Sequence, residues 1–315
     1  MRTNWTGVGT ALVTPFTRSG ELDEARVRRL GRRQIEAGIH FLVPCGTTGE
    51  SPTLTDAERV RVVEILVDEA AGEVPILAGA GGYNTQEVIA LADQMRQVGA
   101  SGLLSVTPYY NKPTQEGLYL HYRAIAESTP LPIILYNVQA RTGVNIETRT
   151  LLRLAEIPNI VGVKEASGNI SQICEVVNSV PANFIVLSGD DAITLPVMSI
   201  GGRGIVSVVS NEIPGEMVEM VEAAEQGDFA AARAIHHRVF SLMQVNFVEA
   251  NPVPVKAAMA AMGLLEDVYR LPMCSPKPES KEKILSVLKQ MNLLSPAEVE
   301  APHAKAEAGR HVVVR

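Results

Sequence analysis

The sequence predicts an α/β chain: a (β/α)8 TIM barrel with a C-terminal helical subdomain. Three observations carry that expectation. Short runs rich in β-branched residues alternate with longer segments of helical periodicity. There are eight such runs. Most are apolar throughout, as parallel strands buried on both faces are.

In order, the runs are GTALVT (9–14), FLVPCG (41–46), PILAGA (75–80), GLLSVT (102–107), PIILYN (132–137), NIVGVK (159–164), FIVLSG (184–189) and GIVSVV (204–209). They recur every 20–35 residues or so, about the size of one βα unit. The segments between them read as helices. In NTQEVIALADQMRQVG, Val88, Leu91, Ala92 and Met95 share one face, Asn84 and Glu87 form a capping-box signature, and Gly99 marks the stop. Thr55, Glu58 and Gly72 repeat those signals one unit earlier. The rival arrangement is a doubly wound open sheet, which often carries a glycine fingerprint after its first strand. Here the first run is followed by PFTRSGELDE, which has no such fingerprint. The barrel is therefore assigned to residues 1–210. Residues 211–295 hold helical segments and no convincing strand. The tail, 296–315, is rich in Ala, Glu and Pro and is expected to be mobile.

Composition narrows the function classes. With 315 residues, 46% of them apolar, the chain can bury a sizeable core. A net charge of −7 without a basic run argues against a nucleic-acid partner. Cys45, Cys174 and Cys274 are odd in number and lack CxxC spacing, so neither a disulfide framework nor a zinc site is expected, and a reducing cytoplasm fits. The start, MRTNWTGVGTALVTPF, lacks the pattern of a signal peptide. No apolar stretch approaches the ~18 residues of a membrane span.

In such a barrel, chemistry belongs at the C-terminal strand ends. Those ends supply Gly46-Thr47-Thr48-Gly49-Glu50, Thr107-Pro108-Tyr109-Tyr110-Asn111, Tyr136-Asn137 followed by Arg141, Lys164-Glu165, and Ser188-Gly189-Asp190-Asp191. None of the histidines (His40, His121, His236, His237, His303, His311) falls there, so no metal-ligand cluster is expected. A lysine imine is the other way to stabilise a carbanion, and Lys164 is the available strand-end lysine. A lysine amine is almost wholly protonated at neutral pH, and burial favours the neutral, nucleophilic form.

Strand alternation turns Lys164, Gly162 and Ile160 inward and Val161 and Val163 outward, with Gly162 leaving room for the lysine stem. Tyr136, on the next strand, can then share the interior and shuttle protons. The bland alternative is a rim lysine that reaches solvent or pairs with Glu165. The GTTGE loop either holds a carboxylate or is a tight turn leading to the Thr55 cap. The Arg141 fork suits a carboxylate, or it is a surface arginine. Cys45 reads as a packed hydrophobe, and Asp190-Asp191 as the cap of the next helix.

Taken together, GTTGE (46–50), TPYYNKPTQEGLYLHY (107–122), ILYNV…RTG (134–143), GVKEASGN (162–169), LSGDD (187–191) and NPVPVKAAM (251–259) resemble the dihydrodipicolinate synthase/N-acetylneuraminate lyase family, from about residue 6 to 294. The resemblance implies class I aldolase-type chemistry on pyruvate with no metal or cofactor, in a homotetramer built from two tight dimers. It implies that Lys164 forms the imine, Tyr136 shuttles the proton, Thr47 relays to it, and Tyr110 completes the relay in the neighbouring subunit's site. Thr47 and Thr48 would hold the pyruvate carboxylate, and Gly189 and Val206 would line the pyruvate pocket. Arg141 points to the synthase branch, where an arginine binds the carboxylate of L-aspartate-4-semialdehyde. A sibling aldolase acting on a 2-keto-3-deoxy sugar acid or 4-hydroxy-2-oxoglutarate would leave Arg141 idle. A keto-acid-binding regulator on a dead barrel would lack one of Lys164, Tyr136 or Thr47.

Two stretches depart from the family pattern. YNVQARTG stands where YNVPGRTG is common, so Gln139 removes a fixed φ and Ala140 disfavours a positive one. Glu87 and Tyr109 match the family's lysine-feedback site, but Tyr83 replaces a usual asparagine and Arg59 a histidine found in sensitive forms. Those two replacements argue against lysine feedback.

Overall fold

The computed structural model describes residues 5–294 and the backbone of 310–312. Eight strands run in one direction: β1 (Gly7–Ala11), β2 (Phe41–Val43), β3 (Leu77–Gly79), β4 (Gly102–Val106), β5 (Ile133–Asn137), β6 (Ile160–Glu165), β7 (Ile185–Ser188) and β8 (Gly204–Ser207). All pair in parallel, in the order β2-β1-β8-β7-β6-β5-β4-β3. The seam between β2 and β3 is closed by the Leu42–Ile76 bridge and by Gly79 N–H donating to Pro44 O. Each strand lies within or beside the run expected for it, because apolar runs between turn residues have few other ways to bury both faces.

Two apolar layers result. Phe41, Leu77, Leu104, Ile134, Leu187 and Val206 fill the interior. Trp5 lies edge-on to Phe41, 5.5 Å between ring centroids, near the start of β4. The opposite strand faces pack under the helices, with Leu103, Leu135, Val163 and Val186 in that outer layer.

Local differences from expectation have physical causes. β1 starts at Gly7 and ends at Ala11, because its partner on β8 begins at Gly204. β6 continues past Lys164 to Glu165, so the lysine is the penultimate strand residue. The β5–β6 register slips between Ile133 and Ile134, which pair with Ile160 and Gly162 and leave Val161 as an extra residue. That bulge reverses the expected faces: Ile160 joins the outer layer and Val161 packs on the inner one.

The capping box of Thr55 and Glu58 forms in full at the helix Asp56–Ala70. Asn84 caps its helix by accepting from Gln86 N–H, while its Nδ2 donates to Glu87; the reciprocal box is not made. Helix Pro214–Glu225 follows β8 and packs on β1, in the place of the eighth barrel helix, within the span 211–295 read as the helical subdomain. The helices Phe229–Val245, Val253–Ala261 and Pro278–Gln290 follow. A short strand not expected there, β9 (Val268–Arg270), pairs in parallel with the backbone of 310–312. The rest of the tail read as mobile lies outside the described residues. Among the described residues, no helix is long and apolar enough to cross a membrane.

Candidate active site

Lys164 and Tyr136 lie in register across β5 and β6, with Leu187 next in line on β7. The lysine is 5% exposed, and its Nζ sits 4.1 Å from the centroid of the Tyr136 ring. Glu165 is not its partner. Glu165 accepts from Asn137 Nδ2 at 2.7 Å and from Ser167 Oγ at 2.6 Å, on the other side of the strand. Burial pushes the Glu165 carboxyl above its ordinary range. The rim-lysine reading therefore fails at both points: the amine neither reaches solvent freely nor pairs with its neighbour.

The space for the lysine stem comes from a different glycine than expected. A Cβ on Gly189 would lie 3.0 Å from Lys164 Cε and 2.7 Å from Ala166 Cβ. A Cβ on Gly162 would instead strike Ile185 O at 2.5 Å, so Gly162 serves close packing of β6 on β7.

Tyr136 also lines a cavity of about 230 Å³, together with Thr47, Val138, Arg141, Arg59 and Tyr109 among others. The strand-end loop Gly46–Glu50 forms one wall. Its backbone turns tightly, with Cys45 at φ +57° and Glu50 at φ +53°, and Gly49 O accepts from Thr14 Oγ1 at 2.7 Å. Such left-handed non-glycine residues persist only where surroundings hold them. Here the buried Lys256 ammonium, flanked by Phe16 and Tyr269, pairs with Glu50. Cys45 packs as expected, its thiol pushed up to about 12 by burial.

Arg141 reaches the cavity from a single helical turn, Gln139–Thr142, ended by Gly143 at φ +67°. Arg141 and Thr142 N–H both donate to Val138 O. Ala140 keeps a negative φ, so the substituted dipeptide is accommodated without strain. Arg141 Nη2 donates to Asn251 O at 3.0 Å.

The expected residues are thus partly gathered. Tyr136, Thr47 and Arg141 line one cavity, Lys164 lies against the Tyr136 ring, and Val206 lies wholly buried in the inner layer. Thr48 is buried and accepts from Asn251 Nδ2 at 2.9 Å. Tyr110 points away, 85% exposed. Tyr83 packs edge-on to Tyr109 at 5.1 Å, with Glu87 held by Asn84, on the exposed outer rim. Asp190 caps the next turn through Ala192 N–H, as expected. Asp191 does not: it is buried and accepts from Ser207 Oγ and from Val208 and Val209 N–H. Sequence reasoning assigned nothing to Asn251, Lys256 or Glu50. The signal for Asn251 and Lys256 was an amide and a charge inside the otherwise apolar NPVPVKAAM, and for Glu50 the carboxylate that ends GTTGE. Among the described residues, no group of three His, Cys, Asp or Glu is placed to hold a metal ion.

An eight-stranded parallel barrel with a buried lysine against a tyrosine at its C-terminal mouth defines the class: a (β/α)8 enzyme whose chemistry sits on the strand ends. The chain belongs to the dihydrodipicolinate synthetase family, whose model matches residues 4–291. It is 52% identical over 294 residues to the 4-hydroxy-tetrahydrodipicolinate synthase of Koribacter versatilis, covering 93% of this chain and 98% of that one. A crystal structure of dihydrodipicolinate synthase from Aquifex aeolicus superposes with a TM-score of 0.91 at 44% identity, over 93% of this chain and all of that one. The synthase from Acinetobacter baumannii, solved in complex with pyruvate, gives 0.91 at 39% identity, over 92% of this chain and 100% of that one. The chain is an enzyme of the lyase class.

Proposed function

We propose that the chain is a 4-hydroxy-tetrahydrodipicolinate synthase, condensing pyruvate with L-aspartate-4-semialdehyde in the diaminopimelate/lysine pathway of the cytoplasm. The observation that carries this is the buried Lys164 amine against the Tyr136 ring, beside a cavity walled by Thr47 and Arg141.

The Lys164 amine adds to the pyruvate C2 carbonyl. Loss of water gives the imine, with Tyr136 supplying the proton that leaves as water and Thr47 relaying it. The Tyr136 phenolate then takes a proton from the methyl group of the protonated imine, the resulting enamine carbon attacks the semialdehyde's aldehyde carbon, and the phenol returns that proton to the alkoxide that forms. The semialdehyde's own amine then displaces Lys164, closing the ring and freeing the enzyme. Thr48 and the turn around it hold the pyruvate carboxylate. Arg141 holds the second carboxylate with its planar fork. Gly189 and Val206 shape the pyruvate end. Tyr110, exposed in the single chain, completes the relay of a neighbouring subunit in a homotetramer. Glu87, Tyr109 and Tyr83 mark the candidate feedback site. The presence of Arg141 in the cavity wall favours the synthase over a sibling aldolase.

Borohydride reduction with pyruvate, followed by peptide mass spectrometry, tests the imine: the adduct is expected on Lys164 and nowhere else. A coupled assay tests the substrate pair. Absence of condensation alongside brisk cleavage of a sugar keto acid would assign the chain to the sibling aldolases.

A further inference from the structure

Asn251 is buried just before helix Val253–Ala261 and touches both carboxylate-binding arms. Its Nδ2 donates to Thr48 Oγ1 at 2.9 Å, and its backbone oxygen accepts from Arg141 Nη2 at 3.0 Å. Its Oδ1 is buried and finds no partner among the described residues.

A threonine hydroxyl has one proton to give. Because Thr48 Oγ1 accepts a hydrogen bond from the Asn251 amide, its own proton is directed elsewhere, and on the synthase reading that is toward the pyruvate carboxylate. An acceptor at position 251 would capture that proton instead. The loop has little freedom to compensate. Glu50 is pinned by Lys256, Gly49 O is held by Thr14, and Cys45 and Glu50 bracket the turn in left-handed backbone. With its Oδ1 left without a donor, the amide's side-chain hydrogen bonding goes to Thr48 through its nitrogen.

We infer that Asn251 is a positioning residue: its amide fixes Thr48 as a proton donor toward the pyruvate carboxylate, while its backbone oxygen fixes Arg141 for the second carboxylate. This rests on the synthase reading above, and the two can fail separately. Asn251→Asp keeps the shape and the backbone oxygen but places an acceptor opposite Thr48.

In borohydride trapping across a pyruvate series, the half-saturating pyruvate concentration of Asn251→Asp is expected to rise about tenfold or more. Asn251→Ala should raise it less, and neither should move the semialdehyde KM more than about threefold. In a Thr48→Val background, Asn251→Asp should add nothing further, since the shared hydroxyl is gone. Unchanged trapping by Asn251→Asp overturns the inference, as does a parallel rise of both substrates' constants with a lowered Tm, which marks a merely structural residue. Should Asn251→Asp fail to fold, unchanged half-saturation in Asn251→Ala overturns it equally. Wild-type protein that traps no pyruvate overturns the synthase reading itself, and the inference with it.

Discussion

Lys164 Nζ lies 4.1 Å from the centroid of the Tyr136 ring, and the two residues face each other in register across β5 and β6. The ring walls off the amine, and in the function proposed above its phenol carries the proton. Tyr136→Phe keeps the wall and removes the phenol. It is expected to lower kcat by about 10²- to 10⁴-fold, the range of a lost acid–base group, while pyruvate still binds. Stopped-flow condensation kinetics with pyruvate titration check this; an unchanged kcat would remove Tyr136 from the proton path.

Arg141 holds its place through a short helical turn and the backbone of Asn251. Arg141→Ala should raise the semialdehyde KM by about 10- to 100-fold, as expected for losing a hydrogen-bonded charge on a carboxylate. Arg141→Lys should recover little, because an ammonium lacks the planar fork. Steady-state kinetics with each substrate varied separates this from a change in pyruvate binding.

Tyr110 is 85% exposed in the single chain, which suits a residue that serves a neighbour. Lys164→Ala and Tyr110→Phe should each leave about a hundredth of the activity or less. Mixing the two under conditions that exchange subunits should restore activity, since the Tyr110→Phe chain keeps Lys164 and receives an intact Tyr110. Mixtures no more active than their parts would place Tyr110 outside the shared relay.

Glu50 and Lys256 form a buried ion pair, and burial holds the lysine below its ordinary range despite that partner. Lys256→Met alone leaves a buried carboxylate and should cost about 3–5 kcal/mol of stability. The double change Lys256→Met with Glu50→Gln should recover much of it. Urea unfolding measures both; equal losses in single and double variants would show that the pair itself is not what matters.

Asp191 has its carboxyl raised from 3.8 to about 6 by burial, against three hydrogen bonds that favour the charge. The folded chain therefore keeps this proton to higher pH than the unfolded chain does. Stability from this group is full below about pH 4 and is lost as pH rises through about 6, by up to about 3 kcal/mol. The stability difference between wild type and Asp191→Asn should shrink over that interval and stay level from about pH 7 to 8. A difference that grows with pH in urea melts would reverse the assignment.

Much of the site is legible in the sequence because strand ends are legible. Polar residues at or just past the end of an apolar run belong to the C-terminal end of the barrel, and Lys164, Tyr136 and Thr47 all follow from that rule. Asn251 and Lys256 do not. They sit on a helix and its approach some 200 residues from the loop they hold, and nothing local marks them as reaching Thr48 and Glu50. The same limit explains Asp191, which reads like a cap beside Asp190 but turns into the barrel wall.

The sequence by itself determined the eight-unit alternation, the lysine's place near a strand end and the family, since hydrophobic period and turn residues act locally. Tertiary structure decided the rest. A bulge at Val161 reversed the faces at the start of β6, and Gly189 rather than Gly162 made room for the lysine stem. Register and side-chain clearance depend on the neighbouring strand, and a strand's own residues do not encode their partner's.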